Sequence, residues 1–117
     1  MEFLVKLTPH LPDTLTEKEL TNLFKRERAR GTGFLEANKM TRMWRLPGTS
    51  SALLLWEVAG PDELHEHLSS LPVWRYCDVE VTALMQHPLE AAHRGAKVNG
   101  YVSSALKASP YIPVRIK

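Results

Sequence analysis

Apolar and polar residues alternate from the first residues onward. Over residues 2–8, EFLVKLT, Phe3, Val5 and Leu7 share one side of an extended segment while Leu4, Lys6 and Thr8 share the other. That pattern predicts a strand with both faces covered. The period then changes. Thr16 followed by Glu19 forms a capping box, and Leu20, Leu23 and Phe24 recur at helical spacing, predicting a helix from about 16 to at least 30. The same stripe continues onto Glu27, then Gly31 and Phe34. Gly31 and Gly33 each weaken a helix interior by about 1 kcal/mol, which predicts a kink, a break or a second short helix over 34–38.

Strand character returns over 40–46, MTRMWRL, and over 52–58, ALLLWEV, with Pro47-Gly48 and three hydroxyl residues between them, so the pair should be antiparallel. Pro61 opens a helix of about ten residues carrying Leu64 and Leu68 and closing before Pro72. A fourth strand, DVEVTALM, places Val79, Val81 and Ala83 on one face. The order βαββαβ is that of an α+β ferredoxin-like sandwich, with two helices on one face of a four-stranded antiparallel sheet. The other face has no helix left to cover it. Burial by further copies of the chain, through the sheet face, follows as an expectation. Residues 1–88 form the domain on this reading. Residues 89–117, with Tyr101, Val102, Leu106, Tyr111, Ile112 and Val114, read as a C-terminal arm that wraps a neighbouring subunit.

Composition narrows the function classes. The 117 residues are 44% hydrophobic, enough for a core without disulfide or metal, and contain a single cysteine, Cys77. The net charge of +2 is too balanced to indicate nucleic acid or a membrane as partner, and neither a membrane-spanning run nor a signal peptide is visible, so a cytoplasmic protein is expected. Lys25, Arg26, Arg28 and Arg30 cluster on the first helix as a solvated face or as a basic mouth for an anionic substrate.

Glu27 is the residue with the clearest chemical meaning. A carboxylate on the inward stripe of an amphipathic helix is desolvated, and desolvation raises its pKa toward the range useful for taking and returning a proton. The structural alternative pairs it with Arg42 or Arg45. The five histidines match no metal template, so no metal is expected; His10, in the loop after the first strand, is the one best placed for a substrate contact. Trp44, Trp56, Trp74 and Tyr76 are core residues or walls of a small apolar pocket. No phosphate-binding loop or nucleophile elbow occurs.

The ordered set F-x-V-K-x-T at 3–8, L-P at 11–12, W-R-x-x-G at 44–48, L-H at 64–65, L-P at 71–72, Y-x-D-x-E-V at 76–81 and H-P at 87–88 resembles the muconolactone isomerase family, without gaps over residues 1 to about 88. The resemblance implies a ferredoxin-like subunit in a ring-like decamer, no cofactor, and a 1,3 proton shift in an unsaturated lactone from aromatic-ring degradation. It also implies that the family's catalytic glutamate is Glu27. Relatives of this type eliminate chloride from a chlorinated lactone. With the resemblance, His10, Arg42, Trp44 and Tyr76 become the substrate-binding candidates, His10 and Arg42 steadying an enolate. The chain departs from the family at His10, usually lysine, at TSSAL over 49–53, at Gly31-Thr32-Gly33 and in its longer arm. Those departures surround the pocket and leave a dehalogenase, a cyclase or a dehydratase as enzymatic alternatives. A non-catalytic oligomeric binding protein would instead lack a cavity beside Glu27 and keep that group's pKa low.

Overall fold

A computed structural model of the chain describes residues 1–95. Contacts divide the chain into two units, the first Met1–Leu84 and the second beginning at Met85. The first contains β1 (Glu2–Pro9), α1 (Glu17–Glu36), β2 (Met40–Arg45), β3 (Ala52–Glu57), α2 (Pro61–Ser69), a single 3₁₀ turn (Trp74–Tyr76) and β4 (Cys77–Leu84). The strands form one antiparallel sheet in the order β2-β3-β1-β4, the ferredoxin-like arrangement predicted from the element order. In the second unit Pro88–Gly95 form α3. The greater part of the predicted arm, 96–117, lies outside the described residues. Among the described residues no helix is long and apolar enough to cross a membrane.

Sheet register explains the core. Phe3, Val5 and Leu7 on β1 stand beside Trp56, Leu54 and Ala52 on β3, and all but the half-buried Ala52 are buried. Phe34 from α1 and Leu64, Leu68 and Leu71 from α2 and its exit close over them. On the opposite face Leu4, Leu53 and Leu55 are only half-buried. At the β4 edge Val79, Val81 and Ala83 stand opposite Leu7, Val5 and Phe3, on the helix-bearing face, as their alternation predicted.

The break or second short helix expected over 34–38 does not occur, because α1 runs unbroken to Glu36. Two features outweigh the glycines. Phe34, just beyond Gly33, is buried against the Trp56 ring at 5.0 Å in an edge-on contact. The helix then ends in a Schellman arrangement, with Asn38 at φ 58°, its N–H donating to Leu35 O and the Lys39 N–H to Phe34 O. Packing and a fitting terminus decide helix length here, rather than intrinsic propensity. The link between β2 and β3 is a type II turn: Thr49 N–H donates to Leu46 O, Pro47 takes the first corner and Gly48 the second at φ 80°.

Gly60 gives α2 no side-chain cap, and Glu63 in the first turn reaches back to accept the Ala59 N–H at 3.0 Å. Glu63 also binds Lys39 and His67, both at 2.9 Å, tying the end of α1 to α2. Hydrogen bonds from Ala59, Lys39 and His67 hold its pKa down at about 2, against an ordinary 4.5. A carboxylate depressed on folding contributes stability above its unfolded pKa, and loses that contribution as pH falls through the folded value. Stability is therefore expected to decline from about pH 4.5 toward pH 2. In urea titrations across that range the Glu63→Gln variant should lose part of the slope; an unchanged slope would show that other carboxylates control acid unfolding.

Candidate active site

Glu27 sits near the middle of α1, half-buried, and shares a cleft with Pro9, Ser50 and Cys77 from one end of the sheet. The cleft has a volume of about 290 Å³. Most of the wall is apolar, with Leu7, Met40, Met43, Leu54 and Leu71 from the sheet and the α2 exit; α1 adds Phe24, Gly31, Thr32 and Leu35. Arg28 and Arg45 are the cations among its described residues.

The Glu27 carboxylate has one hydrogen-bond partner among the described residues. Its Oε1 accepts the backbone N–H of Val73 at 3.1 Å. α2 ends at Ser69, and the turn that follows through Pro72 brings the Val73 N–H to α1. Burial pushes the Glu27 pKa above 4.5, and the Val73 bond opposes part of the rise. No arginine forms an ion pair with it, so the structural alternative drawn from sequence has no counterpart among the described residues. Cys77, on the same wall, has its thiol pushed up to about 11 by burial first and then by the negative charges of Glu27 and Asp78. It is a neutral S–H near pH 7, not a nucleophile.

The four substrate-binding candidates separate within one subunit. Arg42 and Trp44 lie opposite Leu55 and Leu53, on the face without helices, where the Arg42 guanidinium stacks over the Trp44 ring at 4.9 Å. Neither lines the cleft. The cause is a register shift between Met40 and Arg42, which puts Met40 beside Trp56 on the inner face and Arg42 beside Leu55 on the outer one. A strict two-residue period would have kept Met40 and Arg42 together. After the shift Met43 and Arg45 face inward, so Arg45, not Arg42, is the β2 arginine at the cleft; its Nη1 donates to Ser50 O at 2.9 Å. His10 is exposed, hydrogen-bonded to Asp78 at 2.8 Å, and its backbone N–H donates to Tyr76 O. His10 and Tyr76 are the chain neighbours of Pro9 and Cys77, which do line the cleft, but their own side chains do not. The tyrosine ring instead packs under Arg75 at 5.3 Å.

The basic cluster on α1 is divided in the same way. Arg28 borders the cleft, whereas Arg30 stacks over Phe34 at 4.5 Å and donates to Ser70 Oγ at 2.9 and 3.1 Å. Arg30 thus fastens the α2 exit, which carries Val73, against the helix that carries Glu27.

A half-buried carboxylate without an ion pair among the described residues, beside an apolar cleft on a ferredoxin-like sheet, defines a small α+β protein with an acidic candidate site. Comparison with known proteins identifies the family. Residues 1–90 match the family model described as muconolactone delta-isomerase, and the chain belongs to that family. It is 32% identical over 87 residues to muconolactone delta-isomerase 2 of Acinetobacter lwoffii, covering 74% of this chain and 91% of the relative. It is 30% identical over 88 residues to the Cupriavidus pinatubonensis muconolactone delta-isomerase, covering 75% and 96%. A crystal structure of muconolactone isomerase superposes with a TM-score of 0.72 at 30% identity, over 75% of this chain and 92% of the other. The protein is accordingly an enzyme of the isomerase class. The fold alone is shared with 5-chloro-2-hydroxyhydroquinone dehydrochlorinase of Burkholderia phenoliruptrix, solved with 2,5-dihydroxybenzoquinone, at 17% identity and a TM-score of 0.52 over 74% and 96% of the two chains.

Proposed function

We propose that this isomerase catalyses a 1,3 proton shift in an unsaturated lactone of the muconolactone type, in aromatic degradation, with Glu27 as its acid and base and no cofactor. The observation that carries the reading is the Glu27 carboxylate, raised in pKa by burial and lacking an ion pair, at the edge of the apolar cleft. A raised pKa narrows the gap to a carbon acid, so the ionised group takes the ring proton more readily than an exposed carboxylate would. The Val73 N–H holds one oxygen and leaves the other to meet substrate. Glu27 is the sole carboxylate among the described cleft residues, so one group both takes a proton from the ring and delivers one to it, on the same face. Arg45 takes the part of cation for the developing enolate or for the substrate's own carboxylate, a part that sequence reasoning assigned to Arg42.

The enzyme is proposed to act in the cytoplasm, on a small molecule rather than on nucleic acid or a membrane. Association into a homo-oligomer, with a decamer as its form, would cover the outer sheet face of Leu4, Leu53 and Leu55 and bring Arg42 and Trp44 against a neighbouring copy. Incubation of the full chain with muconolactone and excess EDTA in D₂O, followed by NMR, tests the proposed reaction. Isomerisation should proceed, with deuterium entering one face only of the newly protonated carbon. Absence of conversion, or incorporation on both faces, would exclude a single-base shift.

A further inference from the structure

The cleft beside Glu27 is bounded partly by the absence of a side chain. Gly31 follows Glu27 by one helical turn on the same stripe of α1, and both residues border the cleft. The usual reasons for a glycine do not hold at this position. Its φ is not in the left-handed region, where Gly48 alone among the described glycines lies. The helix passes through it without interruption. A Cβ built on Gly31 would find one neighbour, the terminal methyl carbon Cε of Met40, at 3.8 Å, an ordinary contact. Neither backbone conformation nor crowding therefore requires glycine, and a mid-helix glycine is unfavourable relative to alanine. Its local consequence is open space next to the proton-carrying carboxylate.

We propose that Gly31 is a specificity-determining position, which admits a lactone bearing an additional alkyl substituent on its ring. The inference rests on the proton-shift reading of Glu27. The character of the substituent follows from its nearest neighbour, the Met40 methyl at 3.8 Å, and from the apolar wall that Met43, Leu35 and Leu54 add to the cleft. A hydroxyl or charge there would find less compensation than beside the polar lining residues Arg28, Thr32 and Arg45. An alkyl group would bury apolar surface instead. Gly33 supplies an internal control. It lies in the same helix, a Cβ on it would meet nothing within 4 Å, and it does not border the cleft.

The test measures kcat/KM of the full-length protein and of the Gly31→Ala, Gly31→Val and Gly33→Ala variants on muconolactone and on ring-methylated and ring-ethylated analogues. The ratio of alkylated to parent kcat/KM should fall in Gly31→Val by at least about 10-fold, the lower end of what one displaced methylene is worth in a fitted pocket. Gly31→Ala should fall less, and Gly33→Ala should keep the wild-type ratio. Because alanine favours helix, both alanine variants should melt at or above the wild-type temperature, so a misfolded valine variant leaves Gly31→Ala to decide. If the wild type converts these lactones and Gly31→Ala and every folded Gly31→Val preparation keep the ratio, the specificity assignment is wrong while the isomerase reading stands. If the wild type converts none of them, the proton-shift reading fails and the assignment falls with it.

Discussion

Replacement of Glu27 by glutamine is expected to lower lactone isomerisation by about 10²–10⁴-fold in kcat, the range associated with a positioned general base. Glutamine keeps the shape and an oxygen that can still accept the Val73 N–H, but it cannot take a proton. The same substitution should not weaken the fold. Burial disfavours the charged form of Glu27, so at neutral pH the carboxylate costs stability and the neutral amide removes that cost. The pair of measurements separates catalysis from structure: a structural salt-bridge partner would lose stability on mutation, whereas a catalytic base loses rate alone.

The pH dependence has a definite sign. Glu27 works as a base only when ionised, so wild-type kcat should rise with pH through a pKa above 4.5. For stability the sign is reversed. A carboxyl whose pKa is raised on folding favours the folded state while protonated, and that contribution is lost as pH rises from about 4.5 through the folded value. Glu63, depressed to about 2, acts in the opposite sense over the lower range. Activity of the Glu27→Gln enzyme within a few-fold of wild type would remove this residue from the mechanism.

The second large effect is expected at Trp56. Its side chain is fully buried, edge-on to Phe34 and stacked on His67 at 6.0 Å, so truncation to alanine should cost about 3–5 kcal/mol from the cavity and the lost burial. That is a large share of the roughly 5–15 kcal/mol that holds a typical domain together. The indole is not ideally placed, however, because its Nε1 is buried with no hydrogen-bond partner among the described residues. An orphaned buried donor costs about 1–3 kcal/mol. Trp56→Phe removes the donor together with part of the ring, so the two effects oppose each other. Urea unfolding should place it within about 1–2 kcal/mol of wild type, well above the alanine variant. Equal losses in both variants would mean that the indole N–H finds a partner in solution.

Much of this protein was legible before any coordinates. The alternation over residues 2–8, the capping box at Thr16 and Glu19 and the Pro61 helix start each reflect local chemistry, and each element formed where it was expected. Their order was sufficient for the ferredoxin-like arrangement, and the helical stripe singled out Glu27, whose half-burial and raised pKa follow from that position. The misplaced expectations depend on contacts between elements. Gly31 and Gly33 argued for a break on propensity alone, but the burial of Phe34 and the Asn38 terminus carried α1 through. A single register shift after Met40 sent Arg42 and Trp44 to the outer face and turned Arg45 inward, and no periodic reading anticipates a bulge. The Val73 N–H that holds Glu27 comes from a backbone 46 residues away, a partner that carries no side-chain signature. Sequence by itself therefore determined the elements, their order and the position of the half-buried carboxylate proposed to carry the proton, because these depend on periods of a few residues. Tertiary structure alone decided which groups meet that residue, because a one-residue change in register reverses the face a side chain occupies and a backbone donor acquires its role only through the fold.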